Sequence, residues 1–324
     1  MSGERRGGNM KKAVICLLPL LVSLGWAQQG TSSEATPEGT VATSINFPIE
    51  RPVTPTTADL YCAGFVDKAQ ARDKFVTGGM ESPFTANFGS GDAIYLHGKG
   101  YEAGQQYRVV RELTDPNRFE MFPGQFSALK ATGQPYEEVA LVKVIDTRPH
   151  MAIARVEFSC DTVSPGDLVM PYVDKGTIAF HPPQRFDRFA PANGQASGRI
   201  VMAKDFDTEL GNGGKVYLNI GANQGLKVGD FVRVERTAGE VLQNPVDSIS
   251  FKATSYEVTQ KNPPVVNPSF LDIGHGPAIH TADMPRRGVG EVVILGTTPT
   301  TATGMIVFSL EPVHVGDSVE LDRQ

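Results

Sequence analysis

The sequence has few of the residues on which catalysis and metal binding usually depend. Its 324 residues include three cysteines, six histidines and one tryptophan. No serine lies in a Gly-x-Ser-x-Gly turn, and no cysteine has a histidine neighbour in a catalytic motif. Nucleophilic catalysis therefore has no visible basis, and we expect a protein that is not an enzyme and needs no cofactor.

The apolar run at the N-terminus is too short for a typical membrane span. Four basic residues within 5–12 precede an apolar stretch over 13–27. A bilayer span needs about 20 residues, whereas a basic start, a short apolar run and small residues at its end are typical of a secretory signal peptide. We expect a signal peptide over 1–27 with cleavage after Ala27, a periplasmic or secreted protein, and no integral membrane segment after cleavage. A membrane anchor is the alternative.

Basic charge is also scarce. Removal of residues 1–27 takes four of the 30 basic and one of the 36 acidic residues, which leaves 26 basic and 35 acidic residues and a net charge of −9. An acidic surface disfavours broad contact with phosphate backbones and docking on anionic lipid. We therefore expect no nucleic-acid partner.

Two cysteines, Cys62 and Cys160, would remain after cleavage. An even pair in an oxidising compartment predicts one disulfide. It would close a loop of about 100 residues, which a chain-entropy argument values at roughly 4–5 kcal/mol. The alternatives are two buried thiols or a redox pair, and the second is disfavoured because Cys62 lies outside any Cys-x-x-Cys spacing.

Glycine and proline, in contrast, are plentiful, with 34 and 23 residues. They leave little room for long helices and favour a β fold with many turns. Residues 28–59 are rich in threonine, serine, proline and glutamate. Such a segment buries too little apolar surface to offset its ordering entropy, so it predicts a disordered leader.

An internal repeat organises the rest of the chain. Residues 91–111 match 214–236, and residues 138–170 match 289–319. Each copy has an apolar strand, a glycine-rich turn, an alternating strand that ends in arginine, and a closing pair of strands with a Gly-Asp turn. Four blocks in the same order indicate a duplication.

The repeat predicts two homologous β-modules in tandem, each a small barrel or sandwich in a mainly β protein. A weaker match between 64–66 and 198–200 supplies a first strand for each copy. The predicted bounds are 60–172 for module 1, 173–196 for a linker, and 197–324 for module 2 with an insertion at 237–288.

Three Gly-Asp pairs predict the turns that lead into strands. Glycine tolerates a positive φ angle, and the aspartate side chain accepts hydrogen bonds from nearby backbone amides. The pairs are Gly166-Asp167, Gly229-Asp230 and Gly316-Asp317.

Few side chains suggest chemistry. His275, His280 and Asp283 are weak candidates for a metal site, because their spacing of five and then three residues on a Pro/Gly loop does not place them on one helical face. The alternative is a polar surface loop. The acidic pair Glu137-Glu138 is interpreted as solvent-facing charge, since paired carboxylates matter chemically only where they converge and are partly desolvated.

The second copy resembles a known family. Its blocks read VYLNIGANQGLKVGDFVRVER, GEVVI, TATGMIV and VHVGDSVEL. This pattern resembles the C-terminal domain of flagellar assembly protein T and the β-module that follows LysM domains in some bacterial envelope proteins. The resemblance covers the second copy well and the first copy less well. It implies a periplasmic or envelope-associated binding or assembly module, with an envelope protein or peptidoglycan as its partner.

Three functions are therefore compatible with the sequence. The first is a non-enzymatic envelope module that binds or assembles with a partner. The second is a metal-dependent periplasmic hydrolase that uses the His275, His280 and Asp283 loop. The third is a structural spacer.

Overall fold

The computed structural model describes residues 52–81, 85–178, 186–237 and 285–322, and the backbone of four two-residue strands between 259 and 280. All of these residues belong to one compact unit. No helix in the described part of the chain has the length and apolar character needed to cross a membrane.

The first barrel is formed by six antiparallel strands, β2 to β7. Around the barrel they follow the order β2-β3-β6-β5-β4-β7 and close from β7 back to β2, while β1 pairs with the start of β5. The elements are α1 (Thr57–Tyr61), β1 (Phe65–Asp67), β2 (Phe75–Gly79), β3 (Ala93–His97), β4 (Gln106–Glu112), α2 (Gln125–Thr132), β5 (Gln134–Arg148), β6 (Met151–Ser159) and β7 (Leu168–Pro171).

The second barrel closes from six strands in the order β8-β10-β17-β16-β11-β19. Two short strand pairs, β12 with β15 and β13 with β14, lie in the predicted insertion, and β9 pairs with β18. The elements are β8 (Ser197–Ala203), β9 (Glu209–Leu210), β10 (Lys215–Leu218), β11 (Phe231–Arg236), β12 (Thr259–Gln260), β13 (Val265–Val266), β14 (Ile273–Gly274), β15 (Ile279–His280), β16 (Arg287–Thr297), β17 (Ala302–Ser309), β18 (Val313–His314) and β19 (Ser318–Asp322).

The two barrels have the same strand order when β2, β3, β4, β5, β6 and β7 are matched with β8, β10, β11, β16, β17 and β19. The prediction of a mainly β protein with two tandem barrels is therefore confirmed.

The alternation of buried and more exposed side chains explains why these residues form strands. In β4, Tyr107 and Val109 are buried in the core, while Arg108 between them is only half-buried.

The predicted first strand of the first copy is wrong. Val76 of β2 donates to Asp167 O at 2.8 Å, and Ile200 of β8 donates to the equivalent Asp317 O at 3.0 Å. Residues 75–79 are therefore the counterpart of β8, and 64–66 are not. The sequence Phe-Val-Thr-Gly-Gly hides this strand, because its paired glycines resemble a turn.

Both barrels contain the same arginine clamp at the last strand. Arg111 donates from Nε and Nη2 to the two oxygens of Asp167 at 2.9 and 3.0 Å, and Arg236 donates in the same way to Asp317 at 2.7 Å for both bonds. Each aspartate also accepts a hydrogen bond from the backbone N–H three residues before it. Ser164 N donates to Asp167 at 2.8 Å, and His314 N donates to Asp317 at 2.7 Å.

The clamp explains the repeated Gly-Asp pairs. Gly166 and Gly316 have φ angles of 96° and 107°, so each turn needs a residue without a side chain to aim the following aspartate at its arginine. Gly229 has a φ of 90°, and Asp230 accepts a hydrogen bond from Lys227 N at 2.8 Å.

A disulfide joins Cys62 to Cys160, with the Cα atoms 5.5 Å apart. This confirms the predicted pairing. It ties the segment after α1 to the end of β6, 98 residues away in sequence.

The chain before the first barrel packs on the second barrel. Leu60 and Ala63 are buried in one cluster with Phe231 and other outward-facing residues of the second barrel, and Val53 N donates to Val307 O at 2.8 Å. Here the structure differs from the leader predicted over 28–59, because its last residues make ordered contacts that the composition does not reveal.

The segment between β4 and β5 also packs on the second barrel. Met121 and Phe122 belong to the core cluster of that barrel, and Gln125 Nε2 donates to Val201 O at 3.0 Å. An ion pair of 3.2 Å joins Lys204 to Glu137. The two barrels thus share an extensive interface.

Candidate functional site: a cleft between the barrels

A cleft of about 420 Å³ lies where the two barrels meet. The first barrel and its extensions provide one wall, the second barrel provides the other, and the chain after β7 contributes the residues at 173–175. The cleft lining includes Phe65, Arg108, Lys175, Val228, Leu295 and Thr301.

Strand β1 holds the two walls together. Thr301 Oγ1 donates to Val66 O at 2.8 Å, and Thr303 Oγ1 donates to Gly64 O at 3.0 Å. Gly64 has a φ of 72°, and a Cβ there would lie 2.6 Å from Tyr136 O. Only glycine satisfies both the backbone angle and this close approach.

A buried carboxylate lies between two cations at the cleft. Glu138 accepts from Arg108 Nη1 at 3.2 Å, from Lys175 Nζ, and from Gly64 N at 3.2 Å. Lys175 Nζ also donates to Leu60 O at 2.8 Å. The charge of Glu138 is therefore satisfied by groups from three separate parts of the chain.

Burial lowers the pKa of Lys175 from its ordinary value, and the attraction of Glu138 opposes this effect. Lys175 Nζ donates to two acceptors, Glu138 and Leu60 O. These contacts fix the position of its amino group in the cleft wall.

One N–H group of Arg108 has no hydrogen-bond acceptor among the described residues. Its guanidinium lies 4.7 Å from the centroid of Phe65, and Phe65 in turn stacks on Tyr136 at 5.2 Å. Its Nε is buried and has no hydrogen-bond partner among the residues that the structure describes. A buried donor without a partner is costly, so this position of Arg108 needs support from its contacts with Glu138 and Phe65.

The remaining surface of the cleft is mixed. Asp67 and Asp174 supply carboxylates, and Asp174 accepts from Tyr61 Oη at 3.1 Å and Gly176 N at 3.0 Å. Val228 and Leu295 supply apolar surface. Such a combination of apolar area with a few oriented polar groups is typical of a binding site.

The interpretation of Glu137-Glu138 as solvent-facing charge is wrong. Glu138 is buried and Glu137 pairs with Lys204. The outward face of β5 is covered by the segment around Gly64 and by the chain after β7. The residues that bury Glu138 are distant in sequence, so the residues next to Glu138 give no indication of its burial.

The predicted metal loop lies mostly outside the described residues. His275 and Asp283 are not among them, and for His280 only the backbone of β15 is described. Within the described part of the chain, no three histidine, cysteine, aspartate or glutamate side chains converge to hold a metal. Asp167 and Asp317 of the Gly-Asp turns lie at the arginine clamps. Gly229 and Asp230 directly follow Val228, which lines the cleft.

Sequence reasoning missed Arg108, Glu138 and Lys175 as a group. The only available signal was the position of Arg108, a charged residue between two core residues of β4.

Comparison of the sequence with protein-family models and with curated proteins gives no match. The likeness to flagellar assembly protein T and to LysM-associated modules therefore stays a prediction.

Proposed function

We propose that this chain is an exported, non-enzymatic module of the cell envelope that binds or assembles with a partner through the cleft between its barrels. The partner is an envelope protein or peptidoglycan. The single observation that carries the proposal is the cleft itself, where the cationic side chains of Arg108 and Lys175 line the same cavity as the apolar residues Val228 and Leu295.

Export is supported by two independent features. The N-terminal pattern over 1–27 is that of a signal peptide. The Cys62–Cys160 disulfide fits an oxidising compartment, because cytosolic thiols are generally kept reduced.

A binding role is supported by the way the cleft is built. Its charged groups are held by hydrogen bonds to backbone and to each other, so the site is preformed and a ligand meets little ordering cost. Lys175 is committed to two acceptors, which suits a positioning cation better than a nucleophile.

A charge placed in the cleft tests the proposal. Val228 in the cleft and Leu310 elsewhere on the second barrel are equally exposed, each at 46%. We expect Val228→Glu to reduce, at least about tenfold, either the recovery of a specific partner from cross-linked envelope fractions or the retention of the protein on isolated wall. The reason is that an unpaired charge buried on docking opposes binding.

The matched variant Leu310→Glu should retain recovery within about twofold, since isolated surface changes have small effects. Equal loss in both variants, or no loss with Val228→Glu, would remove the cleft from the proposal. Absence of any specific partner and of wall retention in the unaltered protein would favour the spacer role instead.

A further inference from the structure

A row of side chains crosses the outer face of the second barrel. Strand register places Glu291 of β16 between Phe308 of β17 and Arg233 of β11, and Arg233 lies opposite Glu320 of β19. Directly paired residues of antiparallel strands share one face. Phe308 packs against the cluster that contains Leu60 of α1, so this face points away from the barrel interior.

Part of the predicted linker lies over this row. The Phe186 ring is 5.4 Å from the Phe308 ring between centroids, and the guanidinium carbon of Arg233 is 5.0 Å from the Phe186 centroid. Arg233 Nη1 also donates to Asp187 O at 2.6 Å. Phe186 therefore contacts both neighbours of Glu291. We call residues 186–194 the latch segment.

Polar contacts hold the latch segment along its length. Gly288 N donates to Arg188 O at 2.7 Å. Further along, Asn193 N and Gly194 N donate to one oxygen of Glu320 at 3.0 and 3.2 Å. The latch segment thus reaches the barrel on both sides of Glu291.

Glu291 is the unusual member of the row. Its exposed fraction is 0%, and neither carboxylate oxygen has a hydrogen-bond partner among the described residues. The neighbouring cation is engaged elsewhere, because Arg233 donates to Asp187 O and lies 3.6 Å from Asp322. An ionised carboxylate in such a place is strongly disfavoured, and the neutral acid is not.

Burial raises the pKa of Glu291 to about 7, with a further increase from the charge of Asp322 and a decrease from Arg233. The other charged groups on the surrounding elements are largely paired among themselves: Arg286 with Glu235 and Glu320, and Glu311 with Arg188, Arg236 and Arg287. On α1, Asp59 pairs with Lys215 at 2.9 Å.

We propose that Glu291 makes the closure of the latch segment over the second barrel dependent on a proton. With Glu291 protonated, Phe186 packs over the neutral acid and the segment is closed. When the latch segment opens, water reaches the carboxyl group, which releases its proton to solvent and becomes a hydrated carboxylate.

The direction of the effect follows from linkage. The open state has an ordinary glutamate, with a pKa near the model-compound value of 4.5, and the closed state has the raised pKa of about 7. Between these values the closed state binds more protons, so its population falls as pH rises and levels off above the upper value. Acid therefore closes the latch segment.

Hydrogen exchange of the full-length mature chain tests this proposal. Protection factors of amides in 186–194, corrected for intrinsic exchange rates, should fall at least about tenfold between pH 5 and pH 7 and then become constant. Amides of β4 in the first barrel serve as the internal reference and should change little.

Two variants separate Glu291 from other titrating groups. Glu291→Gln is uncharged and of the same shape, so protection of the latch segment should become independent of pH and stay high. Glu209→Gln, an exposed glutamate on β9 of the same barrel, should behave as the unaltered chain. Constant protection in the unaltered chain, or an unchanged pH profile in Glu291→Gln, would overturn the proposal.

Discussion

At the scale of single residues, Glu138 organises the contact between the first barrel, the cleft and the chain after β7. It is buried and held by Arg108, Lys175 and Gly64 N. A carboxylate in this position is stable only because each partner is present. Loss of one member leaves the others as buried charges without compensation.

We expect Glu138→Ala to lower the free energy of unfolding by about 3–5 kcal/mol, because it leaves Lys175 and Arg108 unpaired. Adding Lys175→Met should recover part of that loss, since it removes one of the unpaired charges. Denaturant titration of the single and double variants measures both effects.

Glu102→Ala is the control for this series, because Glu102 is exposed on the same barrel. It should change the free energy of unfolding by no more than about 0.5 kcal/mol. The two residues are not coupled if Lys175→Met lowers the free energy of unfolding by the same amount in the Glu138→Ala background as in the unaltered chain.

At the scale of elements, the arginine clamp closes each barrel where its last strand begins. Arg236 is more enclosed than Arg111, with side-chain exposures of 12% and 29%, and their aspartates are both buried. The planar fork of arginine matches the two carboxylate oxygens, which a lysine cannot do.

We expect Arg236→Lys to cost about 1–3 kcal/mol of unfolding free energy, and Arg111→Lys to cost less, because hydrogen bonds to charged groups contribute more where water is excluded. Thermal or denaturant unfolding measures the order of the two. Arg148→Lys, on a side chain that is 63% exposed, should have almost no effect. Equal costs at the two clamps would contradict the role assigned to burial.

The elements also show how far the sequence predicts the structure. Strands with clear alternation, such as Phe231–Arg236, and the three Gly-Asp turns are recognisable because their signals are local. Strand β2 is not recognisable from the sequence, because the two glycines at its end resemble a turn. The Cys62–Cys160 bond is predictable from pairing in an oxidising compartment, which needs no knowledge of the fold.

The cleft is not predictable in this way. Gly64 precedes β1, Arg108 and Glu138 lie on β4 and β5, and Lys175 follows β7, so only the folded chain brings them together. Their burial depends on contacts between barrels, for which periodicity within one strand carries no information.

At the scale of the whole molecule, the two barrels are joined by contacts in addition to the linker. The segment around α1 and β1 belongs to the first half of the chain but packs on the second barrel, and so does the segment around Met121 and Phe122. The shared interface forms the cleft, so neither barrel alone provides it. Each barrel has the same strand order, and the cleft combines residues of both barrels with segments outside that shared order.

Photo-crosslinking from the cleft in intact cells tests the central claim most directly. A photoreactive phenylalanine analogue at position 228 samples the cleft, and the same analogue at position 310 samples an equally exposed site away from it. We expect a discrete crosslinked partner, either an envelope protein or wall material, from position 228 and a much weaker one from position 310. Equal crosslinking from both positions, or none from position 228, would contradict the account.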